Sequence, residues 1–193
     1  MKKVFFIGIL TILCVSASFA QLRIGATAGL NASNFTGDVE DAKFKAGFQV
    51  GVVADYAINE SFSIMPELLF SQRGTKLKST EEGVTATLTS TLNYIQLPIN
   101  AAYKFNAGYG SKVFIFAGPY LGYGISGSKG VEFGSKAGEY KAFDFGLNVG
   151  AGYEYQKIFF KLQYNHGLAN LSNVSNVSKK NQNIAVSVGY FFN

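Results

Sequence analysis

His166 is the one histidine of the chain, and Ser172 and Ser175 follow it closely enough to suggest a nucleophile with its base. A serine attacks only when a base within hydrogen-bond reach takes its proton. Strand parity works against the pair, because it puts His166 on an apolar face near a strand end and leaves both serines in the loop beyond. His166 therefore reads as an interfacial polar residue. No group of His, Cys and carboxylates has metal-ligand spacing, and no glycine loop opens a helix to hold a phosphate. Neither a metal nor a cofactor is expected. What remains are single charges in apolar surroundings: Arg23, Lys45, Asp55, Glu67, Asp144, Glu154 and Lys161. Charges in such a setting must find each other, and the elements that bring them together are strands.

The clearest strand is Phe143 to Tyr155. One parity carries Phe143, Phe145, Leu147, Val149, Ala151, Tyr153 and Tyr155; the other carries Asp144, Gly146, Asn148, Gly150, Gly152 and Glu154. Successive strand side chains point to opposite faces, so one face is apolar and the other small and polar. A strand needs roughly 9–11 residues to cross a bilayer at a tilt of about 45°. The same alternation recurs about eight times after Gln21. It is separated by tight turns at Ile58–Ser61, Asn106–Ser111 and Gln156–Lys157 and by longer loops over Ala32–Lys43, Arg73–Ser90, Ser126–Lys141 and Ala169–Gln182. Pro98 and Pro119 fall inside strands, where each removes a ladder donor and suggests a bulge or local edge.

The pattern predicts an all-β, eight-stranded antiparallel up-and-down transmembrane barrel. No strand interior carries a charge on the apolar face, where Lys or Arg would cost about 2–4 kcal/mol at the bilayer midplane. Aromatics on that face gather at strand ends, as an interfacial girdle does: Phe62, Phe70, Tyr103, Phe105, Tyr123, Phe143, Tyr153 and Tyr190. Connections alternate long and short, as expected for exterior and periplasmic ends. The interior of such a barrel is just wide enough for side chains to fill it. Arg23, Asp55, Glu154 and Lys161 are expected to cluster toward the periplasmic end, with Lys45 and Asp144 toward the outer end and Glu67 between.

Residues 1–20 read as a cleaved secretory signal, leaving 21–193 as a single barrel domain. Lys2 and Lys3 precede the apolar run Val4–Val15, and Ser18-Phe19-Ala20 supplies small residues before Gln21. The one cysteine, Cys14, lies in that run, so the mature chain would form no disulfide. The formal charge of +5 includes both leader lysines, and the remaining charges are scattered. Nucleic acid is not an expected partner.

Pro66-Glu67-Leu68-Leu69-Phe70-Ser71 with Gly74, Tyr94-Ile95-Gln96-Leu97-Pro98, Ala117-Gly118-Pro119-Tyr120-Leu121-Gly122, Asp144-Phe145-Gly146-Leu147-Asn148-Val149-Gly150, and Tyr164 with Gly167-Leu168 resemble the PorT-like outer-membrane β-barrel family of Bacteroidetes type. The resemblance covers nearly all of the mature chain. It implies an outer-membrane location, an eight-stranded barrel whose mature N-terminus is periplasmic, and prolines tolerated within strands. It supplies no reaction and no functional residues, although the family's naming member is associated with protein secretion. Gly189-Tyr190-Phe191-Phe192 likewise resembles the C-terminal signal read by the outer-membrane assembly machinery, with Asn193 where an aromatic usually closes the chain.

Three functions fit this reading. A non-enzymatic barrel could have a structural, envelope-integrity or accessory role, touching outer-membrane lipid, the assembly machinery and an envelope or secretion partner through its outer loops. A narrow channel would need a continuous water path. A soluble, lipocalin-like binder of a small apolar ligand would need an apolar interior and a wet exterior. The sorting of charges favours the first.

Overall fold

Period-two alternation becomes a wall when each strand pairs with its sequence neighbours and the last returns to the first. A computed structural model describes residues 21–37, 42–81, 84–128, 132–134, 140–173 and 177–193. The leader expected over 1–20 lies outside the described residues, as does Ser175. The strands are β1 (Leu22–Gly37), β2 (Ala42–Ala57), β3 (Phe62–Glu81), β4 (Val84–Gly108), β5 (Ser111–Gly127), β6 (Phe143–Tyr155), β7 (Ile158–Gly167) and β8 (Lys179–Phe191). They form a closed antiparallel meander. The seam is β1 against β8, from Gly25 opposite Phe191 to Gly37 opposite Lys179. Closure leaves no sheet edge in the hydrocarbon, where unpaired backbone groups would cost several kcal/mol each.

Leu30, Leu162 and Val186 stand 73%, 56% and 58% exposed on the outer face, while Asp55, Glu67 and Asp144 are 1%, 2% and 0% exposed within. That is the inverse of a soluble ligand-binding barrel. The expected tight turns are present. Asn59 Oδ1 accepts from the N–H of Ser61 and Phe62, and Tyr109 and Gln156 take φ of 52° and 55° at the two other turns.

Two expected loops are largely strand. β1 continues to Gly37 and β2 begins at Ala42, and β3 and β4 stay paired until Glu81 meets Val84. Above the bilayer a strand has no lipid to face, so apolar alternation lapses although the ladder persists. The prolines cause no bulge: register is kept from Pro98 opposite Tyr120 to Ala101 opposite Ala117. Irregularities occur instead between Phe44 and Gln49, at Asn93/Tyr94 and at Asn106/Gly108.

Candidate functional site: the filled lumen

Every inward side chain ends in a space shared by eight strands, so the lumen is the place where the charges meet. At the end with the tight turns, Arg23 of β1 reaches Asp55 of β2 and Glu154 of β6. Its Nη1 and Nη2 donate to the two Glu154 oxygens at 2.6 and 2.9 Å, and Nη2 and Nε donate to Asp55 Oδ2. A planar guanidinium suits this two-carboxylate fork. Lys104 Nζ, from β4, completes the group by donating to Asp55 Oδ2 at 2.5 Å. Gln21, Arg23, Asp55 and Lys104 line a vestibule of about 240 Å³ at this mouth.

An apolar layer lies deeper in the lumen than the vestibule: Val53, Met65, Ala102, Phe114, Phe116, Phe159 and Phe191. The Phe159 and Phe191 ring centroids are 4.8 Å apart, and Arg23 rests over the Phe191 ring at 4.2 Å. These rings fit because a glycine faces each of four inward aromatics on the neighbouring strand. Phe114 is opposite Gly152, Phe116 opposite Gly150, Tyr120 opposite Gly146 and Phe159 opposite Gly189. A Cβ at any of these glycines would collide with its partner ring.

Next comes Lys161 of β7, which donates to Glu67 Oε1 of β3 at 2.5 Å and lies 5.8 and 5.7 Å from the Phe116 and Phe159 ring centres. Side-chain amides continue from this carboxylate. Asn100 donates to Glu67, Asn148 to Asn100, Asn165 to Asn148 and Asn183 to Asn165. Each amide in the chain points its donor toward Glu67, so the dipoles align on the anion and reinforce one another.

Nearer the outer end, Arg73 is 1% exposed. Its Nη2 donates to Gln96 Oε1 at 2.7 Å, its Nη1 stands 3.8 Å from Asp144 Oδ2, and it lies over the Tyr120 ring at 5.4 Å. Asp144 also accepts from Tyr120 at 3.1 Å and from Asn181 at 2.8 Å. Above this group Phe35, Leu92, Tyr94 and Leu171 form a second apolar layer, with Phe133 and Tyr140 packed on it. Tyr94 meets Phe133 edge-on at 5.6 Å and Phe35 stacks on Tyr140 at 5.6 Å. Burial pushes the Tyr140 phenol above its usual pKa, against a hydrogen bond with Ser90 that lowers it.

Arg23, Asp55 and Glu154 thus stand together, and Asp144 lies toward the outer end. Lys161, expected with Arg23, instead joins Glu67, because β7 faces β3 across the lumen at that level. Lys45 is buried at the outer end, where its Nζ donates to Ala46 O at 3.4 Å. Asp144 takes Arg73 as its cation. Arg73 and Lys104 were missed by the sequence reading. Lys104 continues the parity of Asn100 and Ala102, a signal masked by the aromatics on either side, and Arg73 lies in the run read as a loop.

The aromatics proposed for the girdle all lie on the outer face. Phe62, Tyr103 and Phe105 pack in sequence at 4.7 Å each, with Tyr153 and Tyr190 on the same tight-turn side. Phe70, Tyr123 and Phe143 share one cross-strand row toward the other end through Ile95. His166 looks outward, with Tyr164 OH 3.4 Å from its Nδ1, while Ser172 is buried in the segment after β7 and bridges to Tyr140. Among the described residues, no group of three or more His, Cys, Asp or Glu could hold a metal ion.

The sequence matches the outer membrane protein beta-barrel domain family over residues 19–173. Among solved structures, Neisserial surface protein A is similar at 15% identity and a TM-score of 0.51, with 88% of this chain and 97% of that one covered. The outer membrane protein OprG of Pseudomonas aeruginosa is similar at 11% identity and a TM-score of 0.51, covering 89% and 96%. No curated protein matches the chain.

Proposed function

The chain belongs to the outer membrane protein beta-barrel domain family, and from that premise we propose that it is a plugged barrel with a structural or accessory role, meeting a partner on its outer side. It is a bacterial outer-membrane protein, embedded in lipid, and its family and structural relatives are non-enzymatic barrels. The observation that carries the proposal is the sequence of layers across the lumen. Two apolar layers, each formed by residues from several strands, bracket paired charges and an amide chain. A conducting path would have to cross both layers; the inner one has no polar side chain and the outer one only tyrosine hydroxyls to replace an ion's water.

The motif resemblance to PorT-like barrels supports an accessory part in secretion, and the strands that continue beyond the outer aromatics give such a partner a surface. The test has two arms. Purified protein in planar bilayers should show no discrete conductance, and extraction from the native outer membrane in mild detergent should bring down a surface or secretion protein at comparable stoichiometry. Reproducible single-channel steps would overturn the plugged reading. A lone barrel without conductance would remove the accessory role and leave the structural one.

A further inference from the structure

β3 and β4 rise together beyond the aromatic row at Phe70 and Ile95, in unbroken register from Leu69 opposite Gln96 to Glu81 opposite Val84. At about 3.4 Å per residue and a tilt of about 40°, the hairpin tip stands roughly 25–30 Å above that row. Among the described residues its neighbours stop sooner. β2 accompanies β3 only as far as Ala42 opposite Leu77, and β5 leaves β4 at Gly127 opposite Leu92. The last backbone bond on that side runs from Ser128 N to Thr91 O at 2.9 Å. Among the described residues, no strand pairs with β4 from Val84 to Ser90 on its β5 side.

The bond at Thr91 fixes the phase of this edge. Thr91 turns its C=O to Ser128 N, and its N–H to Ser128 Oγ at 3.3 Å. In an antiparallel ladder a residue's N–H and C=O point the same way and alternate along the strand. Thr85, Thr87 and Thr89 therefore present both groups to the free edge, while Val84, Ala86, Leu88 and Ser90 bond to β3.

Exposed edges are commonly blunted by Lys, Pro, a bulge or a covering segment. The sequence of β3 beyond Leu77 includes Lys78 and Glu81, whereas Val84-Thr85-Ala86-Thr87-Leu88-Thr89-Ser90 contains no charge and no proline and is rich in β-branched residues. An added strand must match that lack of charge. A second copy in the same membrane is a poor fit. Two barrels related by an axis along the membrane normal would present their β4 edges both descending and crossed at roughly twice the strand tilt, or about 80°.

We propose that the free edge of β4 from Val84 to Ser90 binds an extended, uncharged segment of another polypeptide as an added strand, through the N–H and C=O groups of Thr85, Thr87 and Thr89. Main-chain bonds would supply the affinity and alternate side chains the selectivity. The proposal rests on the reading that a partner meets the outer side and names where it docks.

The test uses the full mature chain in lipid nanodiscs and a synthetic alternating valine–threonine peptide matched in length to Val84–Ser90. The control is the same peptide with alternate amides N-methylated. In the free protein the Thr85, Thr87 and Thr89 amides should exchange with deuterium faster than those of Ala86 and Leu88. The peptide should slow them, and the N-methylated control should not. Thr87→Pro removes an edge donor without removing a β3–β4 bond. It should weaken binding by about tenfold, comparable with the loss of one ladder hydrogen bond. Thr87→Lys, which keeps the backbone donor but charges the edge, should also weaken binding if proline disturbs the hairpin.

Equal binding of the methylated peptide, or no binding of either, overturns the proposal. Edge amides already protected in the monomer would assign the edge to the chain's own covering, and protection only in a dimer would assign it to a second copy. Either result also overturns it. Conductance measured on the same preparation is independent of these outcomes, so failure here is distinguishable from failure of the plugged-barrel reading.

Discussion

Replacing Glu67 by Leu removes the acceptor of a fully enclosed ion pair in the lumen. Lys161 Nζ lies 2.5 Å from Glu67 Oε1, and the two side chains are 2% and 1% exposed. Glu67→Leu leaves an ammonium among Phe116, Phe159 and amide groups with no counter-ion. The rings already face Lys161 in the parent protein, so they provide no new compensation. Removing one member of a buried pair costs about 3–5 kcal/mol, and that is the loss expected here. The double variant Glu67→Leu with Lys161→Met puts apolar atoms against apolar rings. It should recover most of the loss, leaving about 1–2 kcal/mol for Asn100, whose Nδ2 would lack its acceptor. The assay is urea unfolding in lipid vesicles followed by circular dichroism, run as a double-mutant cycle. A Glu67→Leu variant within about 0.5 kcal/mol of the parent, or a double variant equal to the sum of the singles, would refute the account of the lumen.

Three further outcomes test other parts of the barrel. Leu162→Arg, at the middle of the outward face of β7, should cost about 2–4 kcal/mol in vesicle refolding, whereas an indifferent result would remove Leu162 from the bilayer midplane. Asn193 closes the seam with its side chain, accepting from Ile24 N at 2.9 Å and donating to Leu22 O at 2.8 Å. Asn193→Ala should cost about 1 kcal/mol and speed exchange of the Ile24 amide; unchanged exchange would mean that the amide bonds elsewhere. Because Tyr140's phenol is raised in the fold, the folded chain holds a proton that the unfolded chain releases above a pH of about 10. Its stabilising contribution is complete below that pH and is lost as pH rises through the folded value. Ultraviolet titration should show Tyr140→Phe lacking one late-ionising phenol, and loss of an early one instead would show that Tyr140 is not buried.

The sequence was most legible where lipid imposes a rule. Phe143 to Tyr155 could be read residue by residue, because each odd position must satisfy hydrocarbon and each even one the lumen. The rule lapses above the membrane, which is why the run from Arg73 to Ser90 resembled a loop and hid both the long hairpin and the inward Arg73. Lys104 was missed for another reason: Tyr103 and Phe105 carried the visible pattern and the residue between them was left unassigned. Pairing was less legible than parity. Asp55 and Lys104 are distant in sequence and meet because β2 and β4 flank β3 and turn both side chains into the same mouth of the lumen, a relation set by strand order and shear. The glycines opposite Phe114, Phe116, Tyr120 and Phe159 were visible as small residues, but their partners depend on register.

The contacts inside the wall also constrain the order in which it can form. Arg23 on β1 needs Glu154 on β6, Lys161 on β7 needs Glu67 on β3, and the amide chain ends on β8. No hairpin, and no sheet of the first few strands, satisfies these groups by itself. A partial sheet of the first strands entering lipid early would carry Glu67 and Arg73 without their partners on β7 and β6, and Arg23 with only one of its two carboxylates, so hydrocarbon selects against insertion one hairpin at a time. Assembly is thereby pushed toward a late step in which β8 reaches β1 while the lumen is still wet. The filling that blocks passage through the finished barrel would then also act as a timer, holding the chain at the water side until its last strand arrives.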